Sequence, residues 1–288
     1  MHPIGALGCW ATSPTWRAFV WMGLLIASIP ASSLASAAPI QLPDSVEPVF
    51  ESSFEDFSCL ATDEPQPNRG LTEDPGAGGC PAGMIPVAGF CIDRYEAALL
   101  DVSDPDNPSP WSPYRNPGST LVVAVSSRSA VPQGAISGQQ AAAACQLAGK
   151  RLCTDQEWLR ACQGPAGLTY PYGNTRLPGV CNDFRASHPM IDYIGPPPWT
   201  PEQLQHPCIN QQFNTVDRNG ANDSCASAEG AFDMMGNLHE WTADPNGTYR
   251  GGSYLDTAFN GNGCLYLTTA YDTDYADYGT GFRCCADP

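Results

Sequence analysis

Basic residues are scarce in this 288-residue chain: 13 Lys plus Arg stand against 30 Asp plus Glu, a formal net charge of −17. A surface of that sign repels nucleic acid and anionic lipid, which argues against both as partners. Zinc-type CxxC and Cys/His clusters are missing too, because Cys284 and Cys285 are adjacent and His188, His206 and His239 are scattered. No GxSxG elbow accompanies the triad that could be picked on paper from Ser253, His239 and Asp244, and a triad is defined by geometry rather than by composition. No internal repeat occurs, and no apolar run reaches the roughly 18–20 residues that cross a bilayer.

What is present begins with Arg17, the apolar run "AFVWMGLLIASIP" and the small-residue stretch "ASSLASAAP". This is the anatomy of a secretory signal peptide over residues 1–37, with cleavage expected after Ala37 or Ala38 and no membrane span in the mature chain. A short N-terminal anchor is the competing reading. Removing the segment takes away Arg17 and no acid, which leaves 12 basic against 30 acidic residues, a formal charge of −18. It also takes away Cys9 of the 13 cysteines, and the even remainder of 12 suits up to six disulfides in an exported protein, periplasmic, cell-surface or secreted.

Residues 38–79 are acidic and rich in Pro, Gly and Ser without a period of 2 or 3.6, and read as a flexible linker. Residues 80–288 are the size of one domain. Within them "MIPVAGFCIDRYE", flanked by Cys80 and Cys91, predicts a stapled hairpin turning at Ala88-Gly89, and "LVVAV" predicts a strand. Ser137 with Gln140, and Thr154 with Glu157, form capping boxes ahead of two helices that Gly149 and Gly164 stop. Beyond Gly164 turn residues dominate, so the domain is expected to be α+β, loop-rich and cross-linked. Trp111, Tyr170, Tyr172, Trp199 and Trp241 could line a ligand groove, but aromatics in such a domain are usually core.

The motifs "AGKRLCTDQEWLRACQG", "YPYGN", "GAFDMMGNLHEWTAD", "RGGSY" and "GFRCCAD" follow one another in the order and approximate spacing of the formylglycine-generating enzyme (sulfatase-modifying factor) family, which residues 80–288 resemble. The resemblance implies a C-type-lectin-like α+β fold with little regular structure. It also implies an oxidoreductase activity, in which two cysteines bind copper(I) and convert a sulfatase cysteine to formylglycine. At those two positions, after "GGSY", this chain has Asp256 and Gly261. Copper(I) prefers thiolates, and a carboxylate with a glycine does not replace two sulfurs, so copper is not expected.

The resemblance further implies the disulfides Cys145–Cys284 and Cys162–Cys264, the second of which leaves Cys264 unavailable for catalysis. Calcium is implied at the Asp233 side chain, the Gly236 and Leu238 carbonyls and the Glu240 side chain, a mixed oxygen set of the kind the ion takes. The competing reading keeps Trp241 in the core and pairs Glu240 with an arginine such as Arg250. A second calcium site would start from Asn182 and the Asp183 carbonyl, although the following "PMIDYIGPPPWTPEQ" departs from the family. Two function classes remain: a non-catalytic module that recognises an unknown protein or glycan on rigidly held loops, or a protein-modifying oxidoreductase of the same family that uses other residues.

Overall fold

Two of the best-marked elements show how this chain builds order from local signals. Helix α1 (Gly138–Leu147) starts at Ser137, whose hydroxyl accepts the Gln140 N–H while the Gln140 side chain accepts the Ser137 N–H. Helix α2 (Asp155–Gln163) starts with the same reciprocal pair at Thr154 and Glu157. Each box satisfies two of the backbone donors that a helix start leaves unpaired. Gly164 ends α2 at φ +62°, a conformation that favours glycine.

These details come from a computed structural model, which describes Cys59 and residues 66–288; the signal-peptide reading and most of the proposed linker lie outside the described residues. The described residues belong to one unit running from Phe54 to Pro288. Its remaining elements are β1 (Met84–Val87), β2 (Phe90–Asp93), β3 (Ala98–Asp101), β4 (Ser109–Pro110), β5 (Val122–Val125), β6 (Arg151–Leu152), α3 (Pro189–Tyr193), α4 (Pro201–Leu204), β7 (His239–Trp241), β8 (Tyr249–Arg250), β9 (Leu267–Thr268), β10 (Thr280–Phe282) and β11 (Cys284–Ala286). They form three small sheets, ordered β1-β2-β11-β6, β10-β7-β8-β9 and β4-β3-β5. The unit is α+β, and most of its residues lie in loops.

The first sheet divides the core. β1 and β2 form the expected hairpin, closed by Ala88 and Gly89 at φ +42° and +94°, and stapled by Cys80–Cys91. Side chains alternate across a strand, so Met84 and Cys91 pack on one face with Leu99, Ile136, Trp241 and Phe282, whereas Ile85 and Ile92 pack on the other with Trp158 and Met234. The same alternation sends adjacent cysteines of β11 in opposite directions: Cys284 bonds Cys145 on α1, and Cys285 bonds Cys153 just ahead of α2. Cys162–Cys264, Cys181–Cys225 and Cys59–Cys208 complete six disulfides, which use every cysteine among the described residues. Bridges spanning 102 to 149 residues each restrict the unfolded chain, by about 4–5 kcal/mol in the chain-entropy account.

The boundary drawn at Cys80 needs correction. Residues 66–79 lie against the domain: Asn68 is buried and exchanges two 2.8 Å hydrogen bonds with the Val131 backbone, and Glu73 accepts from Lys150 Nζ at 2.6 Å and from the Ser126 N–H at 2.8 Å. Composition read this stretch as linker because it lacks periodicity, but its attachment uses individual polar side chains and needs none.

Candidate functional site

The loop after β8 carries the two positions at which the resemblance placed catalytic thiols. It leaves the sheet through Gly251 and Gly252, both at positive φ, and Ser253 exchanges backbone hydrogen bonds with Asp256 at 3.0 and 3.1 Å. The Asp256 carboxylate then caps the next turn, accepting the Ala258 N–H at 3.0 Å on one oxygen and the Phe259 N–H at 2.8 Å on the other. Gly261 sits at φ +115°, and a Cβ added there would stand 2.5 Å from the Leu265 carbonyl oxygen. The loop therefore excludes any side chain at 261 by contact as well as by backbone conformation. Cys264 is buried and bonded to Cys162, its N–H donating to the Thr169 carbonyl at 2.9 Å. No thiol is available in this loop.

Beneath it lies a buried charged cluster that sequence spacing only half revealed. Glu240 and Arg250 face each other across β7 and β8, yet they do not pair. Arg250 forks onto Asp155 at 2.5 and 2.8 Å, at the negatively charged start of α2. The partner of Glu240 is Arg283, at 2.6 and 2.7 Å, with the Trp158 indole N–H donating to the same carboxylate at 2.7 Å. Arg283 also donates to the Asp93 and Phe232 carbonyls. Glu96, which sequence reasoning missed for want of any local pattern, completes the cluster by accepting the Leu238 N–H and the Asn237 amide. Asp233 accepts the Gly220 N–H at 2.8 Å. Burial, reinforced by the charges of Glu240 and Asp233, pushes the Glu96 carboxyl well above its ordinary range. Burial also pushes Asp233 up to about 7.

Among the expected calcium ligands, Glu240 is the one this geometry does not suit. Both Glu240 oxygens are occupied by a guanidinium and an indole, and a cation beside Arg283 would meet its charge. The surroundings of Asn182 and Asp183 involve other atoms than the Asp183 carbonyl expected to hold a second ion. The Asn182 amide donates to the Thr215 carbonyl and to Asn237, its carbonyl accepts the Asn237 N–H, and Asp183 forms an ion pair with Arg176 at 2.7 Å. Gly236 packs so closely on the Asn182 backbone that a Cβ would come within 2.1 Å of its carbonyl oxygen. Asn182 thus braces the 236–237 turn, and among the described residues no group of three or more His, Cys, Asp or Glu is arranged to hold a metal ion.

The paper triad does not assemble either. His239 Nδ1 is enclosed without a hydrogen-bond partner, and burial lowers the ring's pKa to about 4. Asp244 turns instead to Thr248 and Asn246. Of the aromatics, Trp241 and Tyr170 are buried, Tyr172 stacks on Tyr170 at 5.8 Å, Trp111 packs against the core cluster that holds Trp241, and Trp199 stacks on His188 at 5.1 Å. A cleft of about 570 Å³ lies elsewhere, between α1 and residues 242–245, and touches none of Asp233, Glu240, Asp256 or Gly261.

A family model described as "Sulfatase-modifying factor enzyme 1-like domain" matches residues 69–288. The chain belongs to that family. Its domain has the family's loop-rich, C-type-lectin-like α+β fold, and the match begins inside the stretch first read as linker. Among relatives, the chain is 30% identical over 189 residues to "Inactive C-alpha-formylglycine-generating enzyme 2" of Mus musculus, covering 61% of this chain and 54% of the relative. It is 27% identical over 212 residues to "Formylglycine-generating enzyme" of Thermomonospora curvata, covering 62% and 61%. The chain thus spans little more than half the length of these two relatives. Solved structures that resemble it include the Major Tropism Determinant I1 variant, with a TM-score of 0.43, 16% identity and coverage of 73% of this chain and 54% of that one. PvdO from Pseudomonas aeruginosa has a TM-score of 0.44, 15% identity and coverage of 76% and 90%. Within the sulfatase-modifying factor fold, the Cys162–Cys264 bridge ties the loop that carries Asp256 and Gly261 to α2, and Cys145–Cys284 ties α1 to β11.

Proposed function

We propose that this protein is an exported, non-catalytic binding module of the sulfatase-modifying factor family. The observation that carries the reading is the loop at 256–264. Asp256 spends its carboxylate on two backbone N–H groups, Gly261 has no room for a side chain, and Cys264 is bonded to Cys162. Copper(I) chemistry requires a soft thiolate pair, and this loop offers a hard carboxylate and bare backbone. A relative whose printed name begins with "Inactive" is in keeping with this reading. Export is supported by six disulfides, which persist in oxidising compartments, and among the described residues no helix is long and apolar enough to cross a membrane.

The test is direct. Copper-loaded protein is incubated under oxygen with a cysteine peptide of the sulfatase motif, and the peptide is followed by mass spectrometry. The expected result is no conversion of cysteine to aldehyde above a copper-only blank. Turnover above that blank would overturn the non-catalytic reading.

A further inference from the structure

Of the 13 basic residues in the chain, Lys150 is the only lysine, and it is buried. Ion pairs such as Arg283–Glu240 and Arg250–Asp155 use a guanidinium, which does not give up its charge; an amine can, and is then a nucleophile. Lys150 directly precedes β6, Asp93 ends β2, and β11 runs between those two strands. The Lys150 Nζ stands 2.8 Å from Asp93 Oδ1 and 2.6 Å from Glu73 Oε1. The Lys150 and Asp93 side chains are 3% and 0% exposed, and Glu73 closes the site from the outside at 20%. Backbone donors fix both carboxylates. The Cys284 N–H of β11 donates to Asp93 Oδ2 at 2.9 Å, and the Ser126 N–H donates to Glu73 Oε1 at 2.8 Å.

An amine, a carboxyl and a second carboxylate in this arrangement are the groups that an amide condensation needs. The fold supplies the encounter that a free amine and acid would have to make. The Cys284 N–H lies on Asp93 Oδ2, where it stabilises the negative charge that develops when the carboxyl carbon is attacked. Oδ1, the oxygen nearer the amine, is then the one placed to leave. At rest Lys150 is an ammonium: burial opposes its charge, but Asp93 and Glu73 outweigh burial and raise its pKa. Burial raises the Asp93 carboxyl to about 6, so it takes up a proton more readily than an ordinary carboxyl. Replacing the ion pair by a neutral amide removes two charges from the interior, and the desolvation that opposes the pair favours the product.

We propose that Lys150 and Asp93 condense in the folded protein to an intramolecular amide, with Glu73 carrying the protons. Nζ forms a bond to Asp93 Cγ and the Cγ–Oδ1 bond breaks. Two of the three ammonium protons leave with Oδ1 as water, the third stays on the amide nitrogen, and Glu73 ends as it began. Nothing is oxidised or reduced. The amide joins residues 57 apart and ties the end of β2 to the start of β6 across β11, a cross-link that reduction does not open. Because the chain has one lysine, the test has a single readout position. The folded, disulfide-bonded protein is reduced, denatured, and treated with a lysine-specific protease or with an amine-labelling reagent. The expected results are no cleavage after Lys150, a label on the N-terminal amine alone, and a mass lower by one water, about 18 Da. Trypsin should release residues 70–94 joined to residues 129–151. Glu73→Gln keeps an oxygen for the Ser126 N–H and should fold with the same disulfides, yet retain a free Lys150 that is cut and labelled. Lys150→Arg, which cannot condense, marks the position of the open, uncut chain on a reducing gel, and wild type should run ahead of it. Complete cleavage after Lys150 in wild type, a second amine label, or a branched peptide that joins Lys150 to a residue other than Asp93 would overturn the proposal. Full cross-linking in Glu73→Gln would overturn the proton-carrying role of Glu73.

Discussion

Replacing Gly261 with alanine tests whether the loop has abandoned a side chain at this position. The residue has φ +115°, a region that costs a non-glycine residue about 1–3 kcal/mol. The new Cβ would also stand 2.5 Å from the Leu265 oxygen and 2.9 Å from its carbonyl carbon. That backbone cannot yield easily, because Cys264 is tied to Cys162 and the Leu267 N–H is bonded to Asn260. A total of about 2–3 kcal/mol corresponds to a fall of about 4–12 °C in apparent melting temperature for a domain of this size. The control is Gly167→Ala, at φ +65° with nothing within 4 Å of the added Cβ, where only the backbone conformation is charged against the fold. Thermal scans of the two variants side by side should show the larger drop at Gly261. Equal drops would refute the steric argument, and a stable Gly261→Cys variant would refute the claim that this loop cannot hold a thiol there.

The remaining expectations concern the buried cluster and the cross-links. Glu240→Gln leaves Arg283 without its counter-charge in the core and should destabilise the protein by about 3–5 kcal/mol in denaturant titrations; a loss below about 1 kcal/mol would mean that the pair is solvated. Asp233 is raised to about 7 by burial, so its contribution is fully present below the unfolded value near 4 and is lost as pH rises through about 7. Relative to wild type, Asp233→Asn should therefore gain stability between pH 5 and pH 8, whereas an ion-binding Asp233 would make the variant lose it. Calcium and a chelator should leave the wild-type melting temperature unchanged; a rise with calcium that Asp233→Asn abolishes would restore the metal site at this cluster. Non-reducing peptide mapping should find Cys284 with Cys145 and Cys285 with Cys153, and the exchanged pairing would contradict the alternation of side chains along β11.

The sequence by itself determined whatever depends on a few consecutive residues. Both capping boxes, the Ala88-Gly89 turn and the absence of thiols at 256 and 261 are legible because their hydrogen bonds or their chemistry lie within about four positions. Tertiary structure alone decided the rest. Glu240 meets Arg283, 43 residues away, rather than the cross-strand Arg250, because Asp155 at the start of α2 takes Arg250 first. Glu96 enters the cluster from 141 residues away with no pattern to announce it. The aperiodic stretch 66–79 joins the domain through Asn68 and Glu73, side chains whose partners are 63 and 77 residues distant. Buried charge and isolated polar anchors are satisfied by whatever the fold brings within 3 Å, and no spacing along the chain records that proximity.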